Sequence, residues 1–311
     1  MIKKKKISIV IPIFNEAETI PELLKRLSNF INKFSQYNFE AILVEHGSTD
    51  QSFDLLKKHA TKNRSFKVLQ LSRNFQCDGG IAAGLQFANG DAAVIMMADL
   101  QEPIEMIKKF IEKWEQGYEI VYGVVKKRTA GWLRNFCSRL FYKIINLLTS
   151  NMFPENASDF RLIDKKVYQA LNQMKEQNKF LRGLIMWTGF RAIGVPFDRK
   201  DRYAGKSKAD FFTVFNVALN GIFSFSYIPL RLITILGIVM SLFSFTVFIY
   251  FVILFIIYGR TVPGHMSLIT FVLLLFGVLF LIIGIIGEYV ARIYDEVKTR
   301  PNFIIREKFN L

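Results

Sequence analysis

Asp99 closes an apolar run in the stretch "VIMMADLQEP" (94–103) and is followed at once by polar residues and a proline. A lone carboxylate at the end of a buried run either caps the next helix or meets a ligand. Two carboxylates one residue apart would make a strong divalent-cation site. The partner position here holds Met97, a soft thioether that Mg²⁺ and Mn²⁺ do not favour. One carboxylate still suffices in principle, because such ions often take their remaining ligands from substrate phosphate and water. Gln101 can complete the metal or phosphate shell. A divalent cation at Asp99 and Gln101 is therefore expected to bind weakly, and mainly together with a diphosphate.

Other polar groups of the same kind follow apolar runs. Pro12, Asn15 and Glu16 follow the first, Glu45-His46-Gly47-Ser48 the second, and Arg73-Asn74 the third. Asp159 sits in "SDFRLID". No glycine-rich phosphate loop of the Walker or Rossmann type occurs, so a metal or Lys and Arg must neutralise any diphosphate. Arg128, Arg202, Lys206 and Lys208 are the basic candidates for that diphosphate or for a lipid phosphate. In "RYAGKSK" Gly205 separates the basic residues and lets backbone approach an anion. A general basic face against anionic headgroups would look the same.

Positioning these groups requires a sheet. "ISIVIPIF", "FEAILVE", "FKVLQLS" and "AAVIMMA" read as buried strands. Amphipathic stretches at about 18–34, 50–61, 78–90 and 103–117 alternate with them. That alternation indicates an α/β fold with a doubly wound parallel sheet, whose ligands bind beyond the carboxyl ends of the strands. Trp187 and Phe190 are expected in the core.

The 311 residues are 51% hydrophobic, yet carry a formal net charge of +15. Together these indicate a membrane partner. The basic residues are spread along the chain without a zinc-finger, RNP or basic-zipper pattern, so no nucleic acid is expected. Cys77 and Cys137 have no metal spacing and form no disulfide framework. Uncharged runs from Leu232 to Tyr258 and from Met266 to Gly287 each exceed the ~20 residues that cross a bilayer. Lys and Arg crowd the outer flanks, while the connection "GRTVPGHM" has only Arg260. The positive-inside rule then places both termini in the cytoplasm. The expected organisation is an α/β domain (1–210), an interfacial amphipathic region (211–230), a transmembrane hairpin (231–291, spans at about 232–258 and 266–288) and a cytosolic tail (292–311).

Several stretches in order resemble the family 2 glycosyltransferases of GT-A fold, and most closely the membrane-bound polyprenyl-phosphate glycosyltransferases. They are "IPIFNEAETI", "VEHGSTD", "MADLQEP", "SDFRLID", "FLRGLIMWTGF", "RYAGKSK" and "PLRL". The resemblance implies inverting transfer of a sugar from a nucleotide-sugar, a UDP-sugar by preference, to a polyprenyl phosphate of undecaprenyl type. It further implies a bacterial inner-membrane enzyme that assembles as a homo-oligomer, a tetramer. By the same resemblance Pro12, Asn15, Glu16, Glu45, Gly47, Ser48, Arg73, Asp99 and Gln101 bind the nucleotide-sugar. Asp99, Asp159, Arg128, Arg202 and Lys206 form the catalytic set. The sequence departs from the family at Met97, at Glu45-His46 where two Asp are usual, and at Val125 where relatives often carry Arg. Those departures leave open a catalytically impaired, membrane-bound nucleotide-sugar-binding or regulatory relative; a glycosyltransferase using another lipid acceptor is a second alternative.

Overall fold

A computed structural model describes residues 4–126, 154, 156–177, 179–201, 203, 228–259 and 264–311. The chain divides into two compact units, Met1–Ser224 with Arg300–Leu311, and Phe225–Thr299.

The first unit begins with β1 (Lys6–Ile13), α1 (Ile20–Lys33), β2 (Asn38–Glu45), α2 (Ser52–Lys62), β3 (Phe66–Leu71), α3 (Gln76–Gln86) and β4 (Ala92–Ile95). It continues with α4 (Met106–Glu115), β5 (Ile120–Val125), β6 (Ala157–Asp164), α5 (Lys165–Gln173), α6 (Leu181–Trp187) and β7 (Ala192–Phe197). One further strand, β8 (Ile305–Phe309), follows the second unit in the chain. Among the described residues the sheet order is β7-β5-β6-β4-β1-β2-β3-β8.

β1 pairs in parallel with β2 and β4, and β2 with β3. Helical crossovers cover this parallel core on both faces, which is why its strands read as unbroken apolar runs. Ile7, Ile9, Ile11 and Ile13 are fully buried on one face, in a cluster with Leu23 and Leu27 of α1. On the other face α3 lies against β1 and β2. A Cβ at Gly84 would overlap Val10 Cγ1 and come within 3.1 Å of Val44 Cγ2.

The sheet is mixed rather than wholly parallel. β6 runs antiparallel to β4 and β5, and β8 antiparallel to β3. β8 gives the end of the chain a fixed place. Ser72 N–H donates to the Ile304 carbonyl at 2.9 Å, and Lys57 pairs with Glu307 at 2.6 Å. The Asn310 amide donates to the carbonyls of Ala60 and Phe66 at 2.7 and 2.9 Å.

Trp187 corrects an expectation. It is 60% exposed, and Phe190 is half-buried. α6 buries Leu181, Leu184 and Ile185 at i, i+3 and i+4. Position 187 falls off that face.

The second unit consists of α7 (Ile228–Tyr258) and α8 (His265–Val297). Within them Leu230–Ile257 and Leu274–Val297 are long and apolar enough to cross a membrane. Their side chains turn outward, with Leu242, Phe248 and Ile256 well exposed. That much apolar surface is unfavourable in water and favourable in lipid. The helices touch where the rings of Phe243 and Phe271 lie 6.2 Å apart. Most of the region expected to be interfacial, 211–227, lies outside the described residues.

Gly84→Ala should destabilise the first unit by about 1–3 kcal/mol, the usual cost of overpacking a closed contact. A lowered urea midpoint by circular dichroism would show it, and an unchanged midpoint would mean that α3 is not seated on Val10.

Candidate active site

Because β1, β2, β3 and β4 are parallel, their carboxyl ends form one edge of the sheet. The loops there are laced together by side chain to backbone bonds. Asn15 N–H donates to Ser48 Oγ at 2.9 Å, and Thr49 N–H to Asn15 Oδ1 at 2.8 Å. Glu16 N–H donates to Ser52 Oγ at 3.0 Å. Asn15 is left-handed, with φ +52°, a conformation that asparagine tolerates.

Gly47 has φ +83°, and a Cβ there would stand 2.7 Å from the Arg73 carbonyl carbon and the Asn74 nitrogen. Only glycine lets the ends of β2 and β3 approach so closely. His46 continues the same contact. Its Nδ1 lies 3.1 Å from Asn74 Oδ1, and its ring stacks on Phe14 at 5.4 Å. Arg73 lies over the Phe75 ring at 4.1 Å.

Glu45 is 1% exposed. Its Oε1 accepts from Ser48 N–H, while its Oε2 is buried and has no hydrogen-bond partner among the described residues. A buried acceptor left open costs free energy unless a ligand satisfies it.

At the end of β4 the chain turns through Leu100, left-handed at φ +58°, a conformation that costs a leucine on the order of 1 kcal/mol or more. Asp99, 7% exposed, accepts from Gln101 N–H at 3.2 Å. The Gln101 side chain faces the segment after β7. Its Nε2 donates to the Lys200 carbonyl at 3.2 Å, and its Oε1 accepts from Arg199 at 2.6 Å. Lys200 N–H donates to the Gln101 carbonyl at 3.0 Å, and Tyr203 N–H lies 3.5 Å from the Asp99 carbonyl. The fold thus brings Tyr203 of "RYAGKSK" against Asp99.

Behind Asp99 is a group of charges, of which Glu102 and Arg161 are buried and Asp78, Asp159 and Arg182 half-buried. Asp159 accepts from Arg182 through both oxygens, at 2.9 and 2.6 Å, with Arg161 at 3.7 Å. Burial works to raise the Asp159 carboxyl. The charge and hydrogen bonds of Arg182, with Arg161 and Arg199, outweigh it and hold the group below the ordinary range. Burial and then the neighbouring Asp159 push Asp78, in the first turn of α3, up to about 7. Burial also pushes Glu102 up to about 7, against its hydrogen bonds to Met97 and Ser158. Arg161 is brought down to about 10, chiefly by burial.

A sequence profile of the Glycosyl transferase family 2 matches residues 8–171. The chain is 39% identical to an uncharacterised glycosyltransferase of Synechocystis over 98% of this chain and 96% of that protein. It is 37% identical to the prophage-derived bactoprenol glucosyl transferase of Shigella flexneri over 97% of this chain and 98% of that one. The chain belongs to the family 2 glycosyl transferases. Among solved structures, the glucosyl-3-phosphoglycerate synthase of Mycobacterium tuberculosis aligns with a TM-score of 0.49 at 14% identity, covering 70% of this chain and 78% of that one. That likeness is too distant to speak about substrate.

In this glycosyltransferase Pro12, Asn15, Glu16, Glu45, Gly47, Ser48, Arg73, Asp99 and Gln101 share the carboxyl edge of the sheet. Asp159 lies at the start of β6, beside Glu102 through Ser158. Arg128, Arg202, Lys206 and Lys208 lie outside the described residues. Sequence reasoning passed over Asp78, Glu102, Arg182 and Arg199. Arg182 and Glu102 had a signal there, since "FLRGLIMWTGF" and "MADLQEP" contain them. The others matter through partners far along the chain.

The raised Asp78 has a consequence for stability. From about its ordinary value of 3.8 up to about 7 the folded chain holds a proton that the unfolded chain has lost. Its contribution to stability therefore falls as pH rises through that window. Asp78→Asn keeps an acceptor and cannot ionise. Its melting temperature should exceed the parent's by several degrees at pH 8, and by much less at pH 5. A gap that does not widen with pH would refute the burial of this charge.

Proposed function

We propose that this glycosyltransferase moves a sugar from a UDP-sugar to the phosphate of a polyprenyl lipid at the cytoplasmic face of the bacterial inner membrane, inverting the anomeric centre. The observation that carries the reading is the end-to-end likeness to bactoprenol glucosyl transferases, which extends through both apolar helices. The geometry adds support at Glu45, whose open, buried Oε2 can accept a uracil N–H.

Topology is supported by β8. Residues 305–309 pair with β3, so they share one side of any membrane with the first unit. If α7 crosses a bilayer, α8 must cross back.

In the reaction the anomeric C–O bond to UDP breaks, and a new C–O bond forms to the lipid phosphate oxygen on the opposite face. That oxygen is already ionised at neutral pH, so no residue need remove a proton first. What the protein must supply is alignment and positive charge around the phosphates. In this reading Asn15, Glu16, Glu45 and Ser48 hold the nucleoside. Asp159 fixes Arg182 by its two-point pair, so that a rigid cation stands near the reacting phosphates. Arg128, Arg202, Lys206 and Lys208 meet the lipid phosphate.

Among the described residues no three His, Cys, Asp or Glu side chains group to hold a metal ion. Asp99 fits a divalent cation as one carboxylate ligand whose remaining positions come from diphosphate and water. Gln101 would join it beside the guanidinium of Arg199, from which its oxygen already accepts. Mg²⁺ or Mn²⁺ there would neutralise the charge developing on the leaving diphosphate.

Purified full-length protein, UDP-sugars and undecaprenyl phosphate should release UDP and form a glycolipid. Asp99→Asn should lower the rate by about 10² or more, the loss typical of one removed electrostatic contact. Absence of product with every sugar sinks the reading, and full activity in excess chelator sinks the metal. For topology, single cysteines at Thr261 and at the exposed Leu311 can be probed in intact cells of a variant lacking Cys77 and Cys137. An impermeant thiol reagent should label the first and miss the second, and the reverse pattern would overturn the orientation.

A further inference from the structure

Glu102 stands three residues beyond Asp99 and is 3% exposed, too enclosed to reach a diphosphate itself. Its two oxygens face different parts of the chain. Oε2 accepts from Met97 N–H at 3.0 Å, and Oε1 accepts from the Ser158 hydroxyl at 2.7 Å. The first bond closes the loop containing Asp99 upon itself. The second fastens that loop to the start of β6, one residue before Asp159.

Ser158 is itself held in place. Its Oγ accepts from Phe160 N–H at 3.2 Å, and its carbonyl accepts from Arg161 at 2.9 Å. One side chain therefore joins the loop carrying Asp99 to the strand carrying the Asp159–Arg182 pair. The loop needs such a restraint. Leu100 is left-handed, and a leucine keeps that conformation only where its surroundings enforce it.

In sequence Glu102 looks like an acid placed to favour the N-terminus of the next helix. α4 begins only at Met106, and both oxygens of Glu102 are committed to Met97 and Ser158.

We propose that Glu102 is a positioning residue that sets Asp99 against the Asp159–Arg182 pair through its bonds to Met97 N–H and the Ser158 hydroxyl. This rests on the reading of Asp99 as a residue that acts at the donor diphosphate. The acid contributes alignment rather than binding. Its loss should therefore appear in the chemical step more than in donor affinity.

The test uses the full-length enzyme with Glu102→Ala, Glu102→Gln and Ser158→Ala. Glu102→Ala should lower kcat by about 30-fold or more while the donor KM stays within about threefold. Glu102→Gln can still accept from Met97 N–H and bond Ser158, and should recover to within about fivefold of the parent. Hydrogen exchange gives a readout independent of activity. The Met97 amide should exchange at least about tenfold faster in Glu102→Ala, with β1 unchanged, and should be protected again in Glu102→Gln. If Glu102→Ala fails to fold, Ser158→Ala removes the bond to Glu102 Oε1, with that from Phe160 N–H, while leaving Met97 N–H its acceptor, and should lower kcat by about fivefold. Overturning results are a folded Glu102→Ala with kcat within about threefold of the parent, unchanged Met97 exchange, or Ser158→Ala with the parent's kcat. A parent enzyme that glycosylates no lipid phosphate refutes the functional reading instead, and Met97 exchange then still decides whether Glu102 holds the loop.

Discussion

A site for an anionic donor cannot be walled with carboxylates unless their charge is cancelled, and that constraint shapes the carboxyl edge of this sheet. Asp78, Asp99, Glu102 and Asp159 lie within one neighbourhood, and burial makes each isolated negative charge costly. The fold answers in two ways. Asp159 keeps its charge because Arg182 grips both oxygens. Asp78 and Glu102 have no such grip and are pushed up to about 7, so near neutral pH much of their charge is absent. Asp159 thus offsets Arg182, and Arg161 and Arg199 bring further positive charge, which suits phosphates. Replacing a second carboxylate by Met97 moves the balance in the same direction.

The parallel core was legible in sequence because a strand buried on both faces must be apolar along its whole length. β1 to β4 show this plainly. β6 was harder. "ASDFRLID" places Asp159 and Arg161 among its apolar residues, since its first half lines the charged site while its second half completes the sheet. β8 was read as part of a tail. "IREKF" sets three charged residues between two apolar ends, as a short edge strand does to discourage pairing with other chains. No local pattern announces that its partner lies more than two hundred residues earlier. Trp187 misled for a related reason, since its bulk suggested the core while its phase on α6 put it outside.

The candidate site was legible where one residue carries the chemistry at a strand end, as at Asp99 and Glu45. It was not legible where the chemistry depends on a pairing. Nothing in "LQEP" says that the Gln101 oxygen meets Arg199, or that Glu102 reaches Ser158. Those contacts span 98 and 56 positions of the chain, and only the folded sheet brings them together. Gln101 illustrates the effect on chemistry. As a lone amide it reads as a metal ligand, but in the fold its oxygen already faces a cation, Arg199 at 2.6 Å, which weakens it as a ligand for a second one.

What a one-carboxylate site can do follows from these pairings. Met97 faces Cys77, sulfur to sulfur at 3.8 Å, so position 97 offers a soft, weakly coordinating atom where a hard oxygen would otherwise stand. A divalent ion there loses one strong ligand and must take more of its shell from the substrate's own phosphates. Ion and nucleotide affinities then become strongly coupled, since each supplies part of the other's site. Such an arrangement suits a reaction whose nucleophile arrives already ionised. The ion has no hydroxyl to acidify and need only hold charge at the leaving group. The fixed guanidinium of Arg182 can share that task without changing its own protonation. The departure at Met97 is therefore compatible with turnover as long as the Asp99 loop stays rigid, since a single ligand tolerates misplacement less well than two.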